Sequence, residues 1–254
     1  QTASFAEFGP SYETADLYTK TKLEDFNVKA YADFNNSLIG KINAWAGYND
    51  FNYGYNSVLI LDEQRIPNRI KGNIIEAGAG YEKEYRGFKL SGKGAINVAG
   101  DFDGNYLQGA ASFDLNEDYN AEASITVHSV APNFNFLLYQ SDYQNYNWKT
   151  ELNNVKTQEL KFQINTKKFG NASVSYTGID DYAYFGIKEN DSTPSPLQAS
   201  ERVDYLKITA EKDFKFWHFG FHQIQHECLR PCARRVLCTE RAGIGRFSVS
   251  RYFF

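Results

Sequence analysis

From Phe26 to about Gln225 the chain alternates apolar and polar residues with a period of two, in about ten segments. That period belongs to strands with one apolar and one polar face. In Phe26–Phe34, Phe26, Val28, Ala30, Ala32 and Phe34 share one face, and Asn27, Lys29, Tyr31 and Asp33 share the other. The next segment sets Leu38, Ile42, Ala44, Ala46 and Tyr48 against Lys41, Asn43 and Asn49. Further along, Ile75, Ala77, Ala79 and Tyr81 oppose Glu76, Glu82 and Glu84, and Phe88, Leu90, Ile96 and Val98 oppose Lys89, Ser91, Lys93 and Asn97. Tyr119, Ala121, Ala123, Ile125 and Val127 oppose Glu122, Ser124 and His128, and Leu160, Phe162 and Ile164 oppose Glu159, Lys161 and Gln163. The last two strands are expected near Arg202–Lys212 and Lys215–Gln225. No convincing helix interrupts the series. Parallel strands need long crossovers, usually helical, so an antiparallel sheet is expected. No stretch approaches the roughly 20 apolar residues of a spanning helix, which excludes a helical membrane protein.

The connections constrain the fold further. Counting strands from Phe26, the odd connections are short: Asn35–Ser37, Glu84–Gly87, Asn116–Asp118, Lys168–Gly170 and Asp213–Phe214. The long ones, Asp50–Asn68, Ala131–Lys156 and Asp180–Glu201, are all even, and Gly100–Tyr106 is intermediate. In a meander the even connections share one end of the sheet. Transmembrane barrels have this asymmetry, with short periplasmic turns and long external loops. Alternation alone fits a soluble antiparallel sheet equally well, but a sandwich has no reason to sort its loops. Tyr48, Tyr81, Tyr85, Tyr119, Tyr182, Tyr184 and Trp217 suit the aromatic girdles of such a barrel. The expected fold is therefore all-β, an antiparallel up-and-down transmembrane β-barrel of which about ten strands are visible.

Composition narrows the setting. The net charge of -4 argues against a nucleic-acid partner, which would need a basic face. The chain contains no Met, opens at Gln1 and shows no charged and apolar leader, so it reads as a mature or cut piece. All Lys lie between Lys20 and Lys215, whereas six of the ten Arg lie between Arg230 and Arg251, together with Cys228, Cys232 and Cys238. With His226 these cysteines could form a metal site, but the spacings are irregular and form no second tight pair. The expected division is a barrel segment over residues 1–226 and an atypical, foreign or frame-shifted tail over residues 227–254.

The segment from Ala131 to Trp148, Ala-Pro-Asn-Phe-Asn-Phe-Leu-Leu-Tyr-Gln-Ser-Asp-Tyr-Gln-Asn-Tyr-Asn-Trp, resembles a characteristic external segment of the Bacteroidota putative porins. The stretches Gly100–Tyr106, Asp180–Phe185 and Tyr53–Asn56 resemble the same family. The likeness runs from about Phe5 to about Trp217 and departs after His226. It implies an outer-membrane β-barrel of a Gram-negative bacterium with a pore function. Family members are much longer than this chain, which implies further strands. Within the loop, Asn133, Asn135, Tyr139, Asp142, Tyr143, Tyr146 and Trp148 are the candidate external residues.

Catalytic patterns are scarce. There is no Gly-x-Ser-x-Gly elbow, and His128 sits on the polar face of a strand. His218 and His222 lack the helical His-Glu-x-x-His setting, and the Gly78–Gly80 and Gly92–Gly94 pairs precede no helix that could form a phosphate loop. No enzyme activity, metal or cofactor is expected. The leading expectation is a pore for passive diffusion of small hydrophilic solutes, bedded in outer-membrane lipid, with room for a homo-oligomer. Its candidate lining is Lys29, Asp33, Lys41, Glu76, Glu82, Lys89, Lys93, Glu122, Glu159 and Lys161. Both signs occur and no single-sign ring emerges, so strong ion selectivity is not expected. The alternatives are a soluble or surface-anchored β-sandwich that binds glycan through its Tyr/Asn-rich loops, and a lipid-acting barrel enzyme, for which no convergent nucleophile and base are found.

Overall fold

The computed structural model describes residues 9–12, 19–56, 58–61, 64–187, 193–216, 219–229 and 248–251. Along the chain the elements are β1 (Lys22–Asn36), β2 (Gly40–Gly54), β3 (Leu59–Leu61), β4 (Gln64–Ile66), β5 (Arg69–Tyr85), β6 (Phe88–Gly100), β7 (Asn105–Asn116) and β8 (Tyr119–Val130). They continue as α1 (Phe134–Leu137), β9 (Leu138–Tyr139), β10 (Trp148–Lys149), β11 (Val155–Thr166), β12 (Gly170–Asp180), β13 (Ala183–Ile187), β14 (Pro194–Gln198), β15 (Val203–Phe216), β16 (Phe219–Leu229) and β17 (Ser248–Arg251). Eleven strands form one sheet in the order β1-β2-β5-β6-β7-β8-β11-β12-β15-β16-β17. Each pairs antiparallel with its successor, which is the expected meander. The three remaining pairs, β3 with β4, β9 with β10 and β13 with β14, are small sheets inside the long loops. β1 and β17 are the two open edges of the main sheet.

Local chemistry closes the short turns. Arg86 and Gly87 have φ of 50° and 79°, the positive pair that a two-residue type I′ hairpin requires. The Asn36 side-chain carbonyl accepts from the backbone N–H of Leu38 (2.9 Å) and Ile39 (3.1 Å). Asn116 accepts from Asp118 N–H at 2.9 Å, and Thr166 Oγ1 accepts from Phe169 N–H at 2.9 Å. Short polar side chains thus take the backbone donors that the tight turns leave unpaired. The expected turn at Asp213–Phe214 lies instead within β15, which runs on to Phe216, and β16 begins at Phe219. The polar and apolar residues still alternate over Asp213, Phe214, Lys215 and Phe216, so the Lys212–Asp213 pair misplaced that turn. Leu38, expected in a strand, sits in the first turn and is 86% exposed.

Register fixes the two faces of the sheet. One row of outward residues runs Ala32, Ala44, Ala79, Gly94 and Leu107; another runs Ala111, Ala123, Phe162 and Val174. This face carries Phe26 (62% exposed), Ile96 (54%) and Phe162 (57%) in the open. A soluble fold would bury such side chains, at a gain of about 1.5–3 kcal/mol each. A sandwich would do so with a second sheet, and among the described residues no such sheet covers this face.

The apolar face is bounded above and below. At the long-loop end it gives way to a polar band, where Arg202 bonds Asp180 (3.2 Å), Asp204 (3.1 Å) and Gln158 (3.2 Å). At the short-turn end Lys83 donates to the carbonyls of Ser37 and Leu38, both at 2.7 Å. Tyr48 lies at the upper boundary, and Tyr81, Tyr85 and Tyr119 face outward near the turns. Tyr182 and Tyr184, expected in a girdle, instead belong to an outer loop, where their rings stack at 6.5 Å. Trp217 lies outside the described residues. From Tyr119 to Val127 the outward face of β8 spans eight residue steps, and at about 3.3 Å each with a tilt of about 40° that approaches the apolar band of about 25 Å of a membrane barrel.

The register makes a sharp distinction between neighbours. Ala123 faces outward between Ala111 and Phe162, whereas Ser124 faces inward between Ala110 and Lys161. Ala123→Arg is expected to cost about 2–4 kcal/mol at the bilayer midplane, and Ser124→Arg to be tolerated. Urea unfolding in lipid vesicles measures the difference; equal tolerance at both sites would contradict the facing.

Candidate functional site

The inward face is polar and is held by charge pairs across strands. Lys29, Asp33, Lys41, Glu76, Glu82, Lys89, Lys93, Glu122, Glu159 and Lys161 all fall on it. Lys29 meets Glu76 at 2.7 Å, and the same carboxylate oxygen accepts from Trp45 Nε1 at 2.7 Å. Glu82 sits between Lys89 (3.3 Å) and Lys41 (3.9 Å). Lys93 lies 5.5 Å from the centre of the Tyr106 ring. Glu159 accepts from the Thr177 hydroxyl at 3.4 Å. Asp33 is paired across strands with Asn43, Glu122 with Ser112 and Gln163, and Lys161 with Ser124 and Ser175. These are partly exposed pairs, each worth about 0–1 kcal/mol, so they orient side chains more than they stabilise the sheet.

At the long-loop end the same face turns aromatic. Trp45, Phe51 and Tyr53 continue one inward row of β2, and Phe51 and Tyr53 are buried. Phe134 of α1 packs on both, with ring centres 5.3 Å and 5.0 Å away, and Phe102 lies 5.3 Å from Phe51. Leu138, fully buried, joins Tyr53, Tyr55 and Ile66 in the hydrophobic cluster. The segment 131–154 therefore folds over the inward face instead of standing out into water.

Three long loops and the intermediate one share this cap. Trp148 stacks on Tyr139 (4.8 Å) and meets the edge of Tyr146 (4.9 Å). Phe185 of β13 stacks on Phe136 at 4.5 Å. Gln140 donates to the Pro67 carbonyl at 3.0 Å, and Gln198 donates to the Asn153 carbonyl at 2.8 Å. Residues 9–12 lie alongside, with Tyr12 N–H on the Asp142 carbonyl (2.8 Å) and a strand bridge from Ser11 to Tyr143. Burial, with the phenols of Tyr55 and Tyr146 and the Asp142 carboxylate nearby, pushes the Tyr139 phenol above its usual range, so it stays protonated.

The expected loop residues divide by role. Tyr139, Tyr146 and Trp148 come together as the aromatic centre of the segment. Asn133 and Asn135 contribute backbone carbonyls, to Phe136 N–H (2.9 Å) and Trp148 Nε1 (2.9 Å). Asn147, in contrast, uses its side chain to accept from Ser141 N–H at 2.7 Å, and Ser141 Oγ donates to the Tyr146 carbonyl at 2.7 Å. The Asn/Ser content thus satisfies backbone groups in a partly buried loop, where each unpaired group would be costly. The sequence reading missed Phe51, Tyr53, Phe102 and Phe185 as partners of this loop. The signal was present: on the inward face of β2 the row Asn43, Trp45, Gly47, Asn49 changes to Phe51, Tyr53, Tyr55 with the same period.

An antiparallel meander with an exposed apolar outer face, a polar inner face and loops gathered at one end is the sheet of an outer-membrane β-barrel. Solved barrels share it. A variant of the ferric enterobactin receptor of Pseudomonas aeruginosa, in complex with enterobactin, matches with a TM-score of 0.60 and 12% identity, over 82% of this chain and 36% of that one. The siderophore receptor PirA of Acinetobacter baumannii matches with a TM-score of 0.59 and 9% identity, over 83% of this chain and 37% of that one. The chain thus spans little more than a third of either receptor. No curated protein matches the sequence. Residues 1–225 match the family described as putative porins, and the chain belongs to that family.

The cap depends on its buried leucine. Leu138→Ala is expected to cost about 2–5 kcal/mol of loop docking. Limited proteolysis of the detergent-extracted protein should then cut between residues 131 and 154 while the strand signal in circular dichroism is kept. An unchanged cleavage pattern would show that the loop is held by other contacts.

Proposed function

We propose that this chain forms part of the wall and entrance of an outer-membrane pore through which small hydrophilic solutes diffuse passively. The observation that carries the reading is the inner face, where charges of both signs are paired across strands below a folded loop cap. A solute crossing such a wall meets donors and acceptors throughout, and the paired charges leave no ring of one sign to reject either cations or anions. Family membership and the fold shared with outer-membrane barrels support the compartment. Outer-membrane lipid covers the apolar face, and the small-residue rows on that face leave room for association of barrels into a homo-oligomer. No catalytic step and no cofactor is assigned.

The inward fold of residues 131–154 gives the loops a function: they narrow the entrance. Purified protein in a planar bilayer should show stepwise conductance with weak cation-to-anion preference. Removing residues 134–148 should raise the unit conductance. Absence of steps at any voltage would refute the pore reading.

Sidedness follows from the meander, because the three long loops share one end and that end is external. A cysteine replacing Asn145 should react with an impermeant maleimide on whole cells, and a cysteine replacing Glu117, in a short turn, should not. Reaction only at 117 would invert the topology.

A further inference from the structure

We infer that the inner wall formed by β1, β2, β5 and β6 carries a saccharide-binding subsite, with the Trp45 indole as its stacking platform. The inference rests on the pore reading and names a solute class for it. Trp45 lies close against the backbone of β5, so that a side chain at Gly78 would run into the Nε1–Cε2–Cζ2 side of the indole. That part of the ring is thus spent on the wall, and the ring is held in place by the Nε1–Glu76 bond and behind that by Lys29. The ring is partly exposed. Tyr31, 64% exposed, is its cross-strand partner on the same inward face, at 6.4 Å between centres and 35° between planes, which gives two adjacent aromatic surfaces.

Directly toward the short turns the wall is hollowed into a concavity of about 540 Å³. Gly80 borders it and leaves the space that the Asn43 amide fills, since a side chain there would meet that amide. Asp33, Asn43, Glu82, Lys41, Lys93 and Gln108 line it. The lining charges are two of each sign, and Glu82 is already paired with Lys41 at 3.9 Å and with Lys89, beside the hollow, at 3.3 Å. A charged solute meets charges of both signs here, with no cluster of one sign. Sugar hydroxyls both donate and accept, which matches carboxylates, amides and ammonium groups interleaved over one surface. The apolar face of a pyranose ring matches the free side of an indole, by the contact that lets aromatic rings combine apolar area with fixed geometry. The volume falls within the about 300–1,000 Å³ of ordinary ligand sites. Glycine in a strand interior weakens it and marks a close approach; here Gly78 makes room for the Trp45 ring and Gly80 for the Asn43 amide beside it.

The test uses the protein in detergent, with isothermal calorimetry against four neutral linear probes: maltotetraose, cellotetraose, xylotetraose and tetra-N-acetylchitotetraose. At least one is expected to bind. Trp45→Ala should weaken that binding by about tenfold or more, and Trp45→Phe, which keeps a ring, by about threefold or less. Both variants should keep the heat-modifiable gel mobility of the folded barrel. Binding that is equal in wild type and Trp45→Ala overturns the subsite, as does failure of all four probes to bind folded wild type. Binding of a charged dipeptide such as Lys-Glu in place of the sugars also overturns it. The readout needs no conductance, so loss of the pore reading would show in the bilayer and loss of the subsite in the calorimeter.

Discussion

Hydrocarbon cannot hydrogen-bond a backbone, and the rest of this structure depends on that constraint. Every N–H and C=O within the membrane must find a partner in the protein, which leaves helices and closed sheets as spanning forms. This chain takes the second route. Within the main sheet, every strand between the edge strands β1 and β17 is paired on both sides. The outward side chains can then be apolar without a protein layer over them, and the inward side chains can be charged. The edges at β1 and β17 meet the same demand only by pairing, with each other or with further strands.

The hydrophobic effect works in two places and in opposite directions. On the outer face it favours lipid, so Phe26, Ile96 and Phe162 need no packed neighbours. At the long-loop end it favours protein, and the buried apolar residues Phe51, Tyr53, Leu138 and Trp148 gather there. The fold thus has its packed core in the loops and not between layers. A loop of this length would ordinarily be mobile and solvated. Here aromatic contacts give it an interior, and Ser141 and Asn147 supply the hydrogen bonds that the enclosed backbone requires.

The strands and the facing of their residues were legible because both follow from a period of two. A one-residue slip would have inverted every inward position, yet all ten candidate lining residues share the inward face. Turn chemistry was legible where it is local, as at Arg86–Gly87. It failed at Lys212–Asp213, where a polar pair sat within a continuing strand. The one-turn helix Phe134–Leu137 and the hairpin that holds Tyr182 and Tyr184 were not legible, because tertiary contacts fix them: Phe134 is held by Phe51 and Tyr53, and Phe185 by Phe136. Periodicity carries no information about which loops meet. The atypical Cys/Arg-rich tail lies largely outside the described residues; of it, residues 227–229 end β16 and Ser248–Arg251 form β17.

Glycine links the sheet to the proposed binding wall. Strand glycines are costly, since they lose more chain entropy than other residues and pack nothing. At Gly40 and Gly170 the positive φ of 111° and 90° accounts for the choice. Gly78 and Gly80 have no such conformation, so the backbone does not explain them. What they share is the cross-strand residue: Trp45 faces Gly78 and Asn43 faces Gly80. A large side chain opposite a missing one lets the ring approach the wall closely while it stays partly exposed. The same pairing would be wasted on the outer face, where Ala44 meets Ala79 and Ala46 meets Ala77 and both partners are small. Over Asn43–Ala46 the strand therefore distinguishes its two sides: alternate positions match small with small toward lipid and large with absent toward the lumen, and only the second arrangement presents an aromatic surface to a solute.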